Sequence, residues 1–364
     1  MKNKLTALIF ACVLGALTLT CFLKPDTIYS EGERRPLAEK PEFTLETLFL
    51  GGYMKSFETY VTDQFPFREK LRTIKSLFSS YVFNKKDNNG LYVADGHISK
   101  IEYPENKEMT EYAKDRFDYL YNTYMKDKDV NIYLSLIPDK NFFLAEKNGY
   151  PSLDYQKFIN DFKDKMDYME YIDVTNLLSI DDYYKTDSHW KQEEIKDVAE
   201  FLLNAMGTDI KSEYTENLLD NPFNGVYKGQ SALPFKSDTI KYLTNDILDK
   251  CIVTYYDSGK GVKGDIYNME KAYGKDPYEM FLSGTSALIE IENPTAKTDK
   301  ELVLFRDSFG SSIAPLLVEG YKKVTIVDIR YIQSSFLGNF IEFSNQDILF
   351  LYSTTLINNS KAMR

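Results

Sequence analysis

Histidine is scarce in this chain, and its scarcity limits the chemistry that the protein can perform. The 364 residues include two histidines, His97 and His189. A metal site with several histidine ligands is thereby excluded, and only a carboxylate-dominated site around Asp181, Asp182 and Asp187 remains open. A serine-based catalytic site would have to use one of the two histidines as its base. His97 lies beside a predicted hairpin turn and is expected at the surface, so His189 is the stronger candidate.

Cysteine is equally sparse, with three residues in the whole chain. Cys12 and Cys21 lie within an apolar N-terminal segment, so Cys251 has no partner for an intramolecular disulfide in the rest of the protein. Stability must then come from a hydrophobic core, which a chain of 364 residues is long enough to build. We expect Cys251 to be a small buried residue rather than a nucleophile, because no second histidine motif accompanies it.

Basic residues are outnumbered by acidic ones, with 44 Lys and Arg against 55 Asp and Glu and a net charge of −11. A nucleic-acid partner is disfavoured, because contacts to phosphates need a basic face. The same balance disfavours tight binding to a strongly anionic polymer. A local basic groove remains open, since net charge describes only the average field.

The long apolar run of this chain stands at its N-terminus. Lys2 and Lys4 precede an uncharged segment from Leu5 to Leu23, which fits either a signal-peptide core or one membrane span. We interpret residues 1–23 as an anchor, with its basic end in the cytoplasm and the rest of the protein outside; the protein would be secreted if the segment is cleaved. Residues 24–41 are rich in charge and proline and predict a linker.

Helical and strand-like patterns alternate through residues 42–364, which we interpret as one domain with a β-rich insertion at about 208–297. A hairpin is predicted around Asp95-Gly96. Helices are predicted at 45–80 with a break at Pro66, and at about 108–126, 154–169, 192–206 and 311–317. Strands are predicted at 131–137, 171–178, 302–305, 324–329 and 347–352. This alternation predicts an α/β fold in which helices cover both faces of a mainly parallel sheet.

Two short blocks about 120 positions apart supply an acid, a base and a nucleophile. The first, YYKTDSHW, contains Asp187 and His189, and the second, ELVLFRDSFGSS, contains Ser308. Ser308 would sit where a predicted strand turns into a helix, so that its hydroxyl is exposed. An imidazole can accept the proton of such a serine, and a carboxylate can orient the imidazole and stabilise its charged form. The backbone N–H groups of Ser308 and its neighbour Phe309 are the candidate oxyanion donors.

Each of these blocks also has a simpler interpretation. Asp307-Ser308 before a helix is typical of an N-cap, and a single histidine at a helix start is usually structural. The glycine-rich segment Gly259–Gly264 is similar to a phosphate-binding loop, but it lacks the Gly-Lys-Ser/Thr ending and a following helix. We therefore predict a hairpin tip there.

Several further blocks, in the same order along the chain, resemble the DHHW-type proteins, which are similar to the alginate O-acetyltransferase group. Besides the two blocks above they are RPLAEKP at Arg35–Pro41, DQFPFR at Asp63–Arg68, the Pro138-Asp139-Lys140 turn, and VDIRY at Val327–Tyr331. The resemblance covers most of the exported part. It implies an SGNH/GDSL-hydrolase-like, flavodoxin-like α/β fold with the Asp-x-His pair ahead of the serine. The chain departs from the family name at Ser188, where alginate-type members also carry a small hydroxyl residue.

By that resemblance, Asp187, His189 and Ser308 would form a catalytic triad. Arg330 and Tyr331 would assist the substrate or the oxyanion, although a solvated pair at a strand end fits them equally well. The implied reaction moves an acetyl group from a membrane-bound O-acyltransferase, through an acetylated serine, to a polysaccharide hydroxyl outside the cytoplasm, with no metal or soluble cofactor. An acetyl esterase would use the same residues. A non-catalytic glycan-binding or assembly protein with the same fold is a third possibility.

Overall fold

The structure is a computed structural model, and it describes residues 2–208 and 212–364. Met1, within the predicted anchor, and residues 209–211, within the predicted insertion, lie outside that description. The chain forms two compact units. The first comprises the chain up to Leu91 together with Val226–Lys236, and the second comprises Tyr92–Gly225 and Ser237–Arg364. The first unit includes residues 24–41 and part of the predicted insertion, and the sequence-based division into anchor, linker and one domain stays a prediction.

The first unit is mainly helical. Its longest helix contains an apolar stretch, Asn3–Cys21, that is long and apolar enough to cross a membrane and is not buried. The elements of this unit, numbered along the chain, are α1 (Lys2–Leu23), β1 (Tyr29–Ser30), β2 (Arg35–Pro36), α2 (Leu45–Phe49), α3 (Gly52–Gln64), α4 (Arg68–Leu77) and, further along, α9 (Val226–Ser231). The break predicted at Pro66 is confirmed, because α3 ends and α4 begins on either side of it. A second break separates α2 from α3 at Gly51, whose φ of 75° interrupts a helix.

The second unit is built on an 8-stranded sheet with the order β10-β9-β11-β13-β12-β14-β5-β6. Its strands are β5 (Asn131–Ile137), β6 (Glu170–Tyr171), β9 (Ile252–Tyr255), β10 (Val262–Gly264), β11 (Leu288–Glu292), β12 (Glu301–Arg306), β13 (Lys323–Val327) and β14 (Asp347–Ser353). The run from β13 to β6 is parallel, which confirms the predicted α/β architecture. Three strands of the predicted insertion, β9 to β11, instead extend this sheet as an antiparallel edge.

Helices cover both faces of the sheet, as alternation along β14 illustrates. Ile348 and Phe350 pack into one apolar core and Leu349 and Leu351 into another, so the strand is buried on both sides. The other elements of this unit are β3 (Leu91–Ala94), β4 (His97–Lys100), α5 (Lys107–Leu120), α6 (Lys140–Leu144), α7 (Tyr155–Lys165), α8 (Lys196–Ala205), β7 (Thr215–Phe223), β8 (Asp238–Thr244), α10 (Met269–Ala272), α11 (Phe309–Leu317) and α12 (Thr354–Asn358). Strands β3 and β4 form the predicted hairpin, with positive φ at Asp95 and Gly96.

The structure differs from two local predictions and agrees with a third. His97 was expected at the surface but is only 2% exposed, because β4 is tied to the rest of the unit by the Ile98 N–H, which donates to Lys185 O across 2.8 Å. The strand predicted at 171–178 is wrong beyond Tyr171, since Asp173 accepts bonds from the backbone and hydroxyl of Thr175 and bends the chain into a turn. The glycine-rich segment begins at the tip of the β9–β10 hairpin, as predicted, and its last three residues form β10.

Cys251 is half-buried, and burial raises the pKa of its thiol to about 12. A thiol with so high a pKa is almost wholly protonated near neutral pH and is a poor nucleophile. The structure therefore agrees with a packing role for this residue.

Candidate functional site

The candidate site lies at the carboxyl ends of the parallel strands of the second unit, where α/β proteins commonly form their sites. Ser308 occupies the turn between the central strand β12 and α11, with φ −63° and ψ −21°. Asp187 and His189 lie in a loop that an isolated bridge between Tyr183 and Trp190 closes. The order of the sheet thus brings together two segments that are distant in sequence.

The side chains of Ser308, His189 and Asp187, called the relay here, form a continuous line of hydrogen bonds. Ser308 Oγ lies 2.7 Å from His189 Nε2, and His189 Nδ1 lies 2.6 Å from Asp187 Oδ1. With its proton on Nδ1, the imidazole donates to the carboxylate and can accept the serine proton at Nε2. The Asp187 side chain is fully buried and that of His189 is 13% exposed, so only the imidazole end of the pair meets solvent.

The turn that carries Ser308 is held by Asp307 rather than by the serine. The Asp307 carboxylate accepts the Phe309 N–H across 3.0 Å and both the N–H and the hydroxyl of Ser353, at 2.9 and 2.6 Å. The Ser308 side chain makes no capping bond to the helix. Its hydroxyl points instead at the imidazole, which is the arrangement that a nucleophile requires.

Glycine at position 310 allows α11 to begin this close to β12. A Cβ atom built on Gly310 would lie 2.4 Å from the Cβ of Arg306, closer than two carbon atoms can approach. The sequence RDSFG therefore encodes a tight turn with the serine at its apex.

The loop that carries Asp187 is clamped by a buried lysine. Lys140 Nζ lies within hydrogen-bond distance of four carbonyl oxygens, those of Ile98, Tyr184, Lys185 and Asp187, at 2.5 to 3.2 Å. Burial lowers the pKa of Lys140 to about 7, against the opposing charge of Asp187. The Pro138-Asp139-Lys140 turn thus holds the loop that carries Asp187, a role that its sequence alone did not indicate.

A second clamp acts on the opposite side of the same loop. Asp238 accepts the backbone N–H groups of Lys185 and Thr186, at 3.1 and 2.7 Å, and the Thr186 hydroxyl. Gly225 packs against this segment so closely that a Cβ there would lie 2.3 Å from the carbonyl of Thr186 and 2.5 Å from Asp187 Cβ. These contacts fix the backbone on which the relay carboxylate stands.

One of the two backbone N–H groups predicted to bind the oxyanion already donates a hydrogen bond within the protein, and the other does not. The Phe309 N–H donates to Asp307. Within the described part of the chain, the Ser308 N–H has no hydrogen-bond partner. Phe309 instead offers its ring, which packs against His189 and Trp190 at centroid distances of 5.2 and 5.3 Å.

Arg330 and Tyr331 follow β13, at the same edge of the sheet as the relay. Arg330 Nε and Nη2 donate to Asp328 across 2.9 and 2.6 Å, and the guanidinium lies 5.4 Å from the Tyr331 ring centroid. Burial alone would lower the pKa of Arg330, but the hydrogen bond and charge of Asp328 outweigh it and the pKa is raised. Among residues 2–208 and 212–364, neither side chain hydrogen-bonds to the relay. Their role toward a substrate stays a prediction.

A second guanidinium shares the carboxylate of Asp328. Arg306, which is fully buried, donates to Asp328 Oδ2 across 3.3 Å and to the carbonyls of Asp307 and Gly284. The carboxylate of Asp307, which is also buried, lies beside this group, so the two arginines and the two aspartates are together neutral. The group therefore holds the end of β12 and the segment after β13 together beside Ser308.

Tyr278 is a site residue that sequence reasoning missed. Its ring lies flat on the imidazole of His189, and its hydroxyl is 2.9 Å from Ser312 Oγ. Ser312 Oγ also accepts the indole N–H of Trp190 across 2.8 Å. The motif that carries His189 contains Trp190, but nothing near Tyr278 in the sequence pointed to this contact.

Comparison with known proteins supports the fold. No protein-family model matches the chain, and no curated protein matches it. Among solved structures, a DHHW family protein from Eubacterium siraeum DSM 15702 is similar, with 18% identity and a TM-score of 0.59 over 76% of this chain and 95% of that one. Bacillus cereus PatB1 is similar with 18% identity and a TM-score of 0.58 over 74% of this chain and 97% of that one. The structure of PatB1 with a sulfonyl adduct gives 21% identity and a TM-score of 0.56 over 73% of this chain and 95% of that one.

These similarities extend over nearly the whole length of each solved structure. The chain therefore has the α/β, SGNH-like fold that the DHHW family protein and PatB1 share, with extra elements beyond the matched part. At these identities the likeness concerns fold, and the chemistry has to be argued from this chain's own side chains.

Proposed function

We propose that this protein is an extracytoplasmic O-acetyltransferase that moves acetyl groups onto the hydroxyls of a cell-surface or secreted polysaccharide. The relay carries the proposal, because a hydroxyl, an imidazole and a buried carboxylate at 2.7 and 2.6 Å are what acyl transfer through serine needs. The resemblance in sequence to the alginate O-acetyltransferase group supports the choice of acetyl group and sugar acceptor.

In the first step, Ser308 Oγ attacks the carbonyl carbon of the acetyl donor while His189 Nε2 takes the serine proton. The negative charge on the carbonyl oxygen is stabilised by the Ser308 N–H, which has no other partner among the described residues. The bond to the donor then breaks, and His189 returns the proton to the departing oxygen or sulfur. Asp187 stabilises the imidazolium formed in between.

In the second step, a sugar hydroxyl occupies the position that the donor has left. His189 takes its proton, its oxygen attacks the acetyl carbon, and the bond to Ser308 breaks as the serine regains a proton. Water in place of the sugar would give acetate, which is the esterase reaction. The same residues serve both outcomes, and the acceptor that reaches the acyl-enzyme decides between them.

The N-terminal helix supports the proposed location. An apolar stretch of 19 residues at Asn3–Cys21 fits one membrane span, with Lys2 and Lys4 at its N-terminal end and the proposed catalytic unit after it. We propose that α1 anchors the protein outside the cytoplasm, where a membrane-bound O-acyltransferase supplies the acetyl group.

Ester hydrolysis and acetyl transfer test the proposal directly. The full chain in mild detergent should release aryl alcohol from an aryl acetate and gain the mass of one acetyl group on Ser308. The S308A variant should do neither, and S311A, the same replacement one turn along α11, should do both. Added oligosaccharide should divert acetate release into acetylated sugar.

Three results would change the assignment. Undiminished hydrolysis by S308A would remove the nucleophile. Hydrolysis that no sugar acceptor affects would favour the acetyl esterase. A chain that neither hydrolyses nor transfers, yet binds glycans, would favour the assembly protein.

A further inference from the structure

Helix α4 of the first unit has its apolar face on the outside. Phe67, Leu71, Ile74 and Phe78 are 64, 44, 49 and 52% exposed. Their spacing of three and four places them on one side of the helix. Tyr81 and Val82, in the π-helical turn that continues α4, extend the stripe and are 80 and 63% exposed. We call these six residues the outer face of α4.

The opposite, polar face of the helix is the one that packs into the first unit. Arg68 pairs with Glu33 at 2.5 Å, and Arg72 Nη2 donates to the Gly229 carbonyl across 3.0 Å. Ser76 is fully buried, and its hydroxyl donates to Ser231 O across 2.7 Å. An amphipathic helix in a soluble protein usually buries its apolar stripe, so this reversed orientation indicates that something apolar covers the outer face.

Lysines flank the outer face on both sides. At 100° per residue, Lys70 and Lys75 lie on either side of the apolar stripe, and both are exposed. A cleft of about 310 Å³ beside it is lined by Lys75, Lys85 and Lys86, with Asp87 as its acidic residue. In a chain with net charge −11, this concentration of lysine matches a partner with an apolar interior and an anionic rim.

Hydrogen bonds between the segment after α1 and helix α3 limit how far α4 can lie from the end of α1. Thr27, four residues after α1 ends at Leu23, donates its N–H to Gln64 Oε1 across 2.9 Å, and Gln64 Nε2 returns a bond to Thr27 O at 3.0 Å. Tyr60 of α3 donates to the Asp26 carboxylate across 2.9 Å. Gln64 is the last residue of α3, and α4 begins at Arg68. Each of the two four-residue stretches, 23–27 and 64–68, spans at most about 14 Å, so the start of α4 can lie no more than about 35 Å from the point where α1 would leave the bilayer.

We propose that the outer face of α4 lies in the headgroup and upper acyl region of an anionic lipid bilayer, with Lys70, Lys75 and the lysines of the cleft on lipid phosphates. The inference rests on the anchoring by α1 proposed above. It adds a second membrane contact, which holds the first unit against the surface instead of leaving it on a free tether. A single membrane span leaves the orientation of the first unit toward the membrane undetermined. A span together with a basic interfacial helix fixes that orientation.

Quenching of tryptophan fluorescence by brominated lipid acyl chains tests this contact. The chain has one tryptophan, Trp190, which is fully buried in the second unit and provides a constant background. The full chain carrying Phe78→Trp is reconstituted into vesicles of phosphatidylcholine and phosphatidylglycerol, with and without bromine on the acyl chains. The matched control is Leu218→Trp, which replaces an apolar residue of the second unit that is 64% exposed.

The F78W chain should lose fluorescence in brominated vesicles, and the loss should shrink when phosphatidylglycerol is omitted or when Lys70 and Lys75 are both changed to glutamate. The L218W chain and the unchanged protein should lose none. If F78W floats with the vesicles but is not quenched, the anchor stands and the lipid contact is overturned, with a second copy or a membrane protein left to cover the face. Quenching that ignores lipid charge overturns the role of the lysines.

A chain that does not float with the vesicles overturns both the anchor and the lipid contact. Hydrolysis of an aryl acetate by the same chains in detergent depends on neither, so the catalytic proposal is judged separately.

Discussion

The phenol ring of Tyr278 lies flat on the imidazole of His189, with ring centroids 4.0 Å apart and ring planes at 11°. The phenol is anchored through Ser312, which also binds the indole of Trp190. Burial raises the pKa of Tyr278, so the phenol stays neutral at working pH. The stack covers one face of the imidazole and leaves both nitrogen atoms free for Ser308 and Asp187. Tyr278 is therefore a positioning residue for the proposed base.

Removing the ring should reduce catalysis more than removing the hydroxyl. An aromatic pair is worth about 1 kcal/mol beyond its buried area, which corresponds to roughly a fivefold to tenfold change in rate if it is lost from the transition state. We expect Tyr278→Leu to lower kcat for aryl acetate by about tenfold, with a small change in KM. Tyr278→Phe keeps the stack and should retain most of the activity.

The pH profile distinguishes positioning from simple structural support. If Tyr278 holds the imidazole, Y278L should lower the maximum kcat and also shift the pH range over which kcat changes, because water then surrounds the base differently. Equal activity of Y278L and Y278F would contradict the assignment.

The central part of the fold could be predicted because its signals are local. The apolar run before Ser308 and the periodicity after it define β12 and α11, and buried runs define β5 and β14 in the same way. The Asp-x-His block could be linked to the serine because few histidines were available. The parallel sheet followed from alternation, and it brings both blocks to one edge.

Contacts between distant and irregular segments could not be predicted. Tyr278 reaches His189 from a short 3₁₀ turn, Pro277–Met280, whose position depends on the packing of the whole antiparallel edge. His97 is buried because a hairpin that looks solvated in the sequence docks against Lys185. The outward stripe of α4 has the periodicity of an ordinary core helix, so the sequence alone does not indicate that this face lies on the outside. Periodicity identifies the two faces of a helix, but tertiary contacts decide which is buried.

Lys140 should matter more for the stability of the second unit than any exposed lysine. Lys140→Met would leave three buried carbonyl groups and one partly buried carbonyl group without their shared donor. A buried polar group left without a partner costs about 1 to 3 kcal/mol, and the desolvation of Lys140 that lowers its pKa offsets part of the total, so we expect a loss of about 3 to 5 kcal/mol in the free energy of unfolding. Urea denaturation followed by Trp190 fluorescence measures it.

The matched control for that change is Lys147→Met. Lys147 forms an ion pair with Asp95 at 2.8 Å, but its side chain is 54% exposed. Such a pair contributes about 0 to 1 kcal/mol. Equal stability of K140M and K147M would contradict the clamp.

Gly310→Ala should disturb the serine turn. The new methyl group would meet the Cβ of Arg306 at 2.4 Å, so α11 would have to move away from β12. Overpacking of this kind costs about 1 to 3 kcal/mol, and a shift of the turn also lengthens the bond from Ser308 to His189. We expect aryl acetate hydrolysis to fall by at least about tenfold.

Gly52→Ala is the control for that change. The nearest atom to a methyl group at Gly52 is 3.8 Å away, in the first unit. Activity should stay close to that of the unchanged protein. The steric argument fails if G310A retains full activity.

Asp139 makes the stability of the second unit depend on pH. Its carboxylate is buried and accepts bonds from Tyr155, Thr354 and the Asn141 N–H. Burial raises the pKa of Asp139 from 3.8 to about 6 in the folded protein. The folded state thus holds the proton more tightly than the unfolded chain. The resulting stabilisation is complete below pH 3.8 and is lost as the pH rises through about 6.

Asp139→Asn cannot ionise, so it should gain stability relative to the unchanged protein as the pH rises. A rise in pKa from 3.8 to about 6 corresponds to a change on the order of 3 kcal/mol in the difference between their unfolding free energies. Urea denaturation from about pH 4 to about pH 8 measures that difference while other titrating groups cancel. Asp299→Asn is the control: a hydrogen bond from Lys322 lowers the pKa of exposed Asp299 below 3.8, so its effect falls below this pH range and its difference should stay nearly flat. A D139N difference that stays flat with pH, or falls, would mean that Asp139 remains charged within its cage of donors.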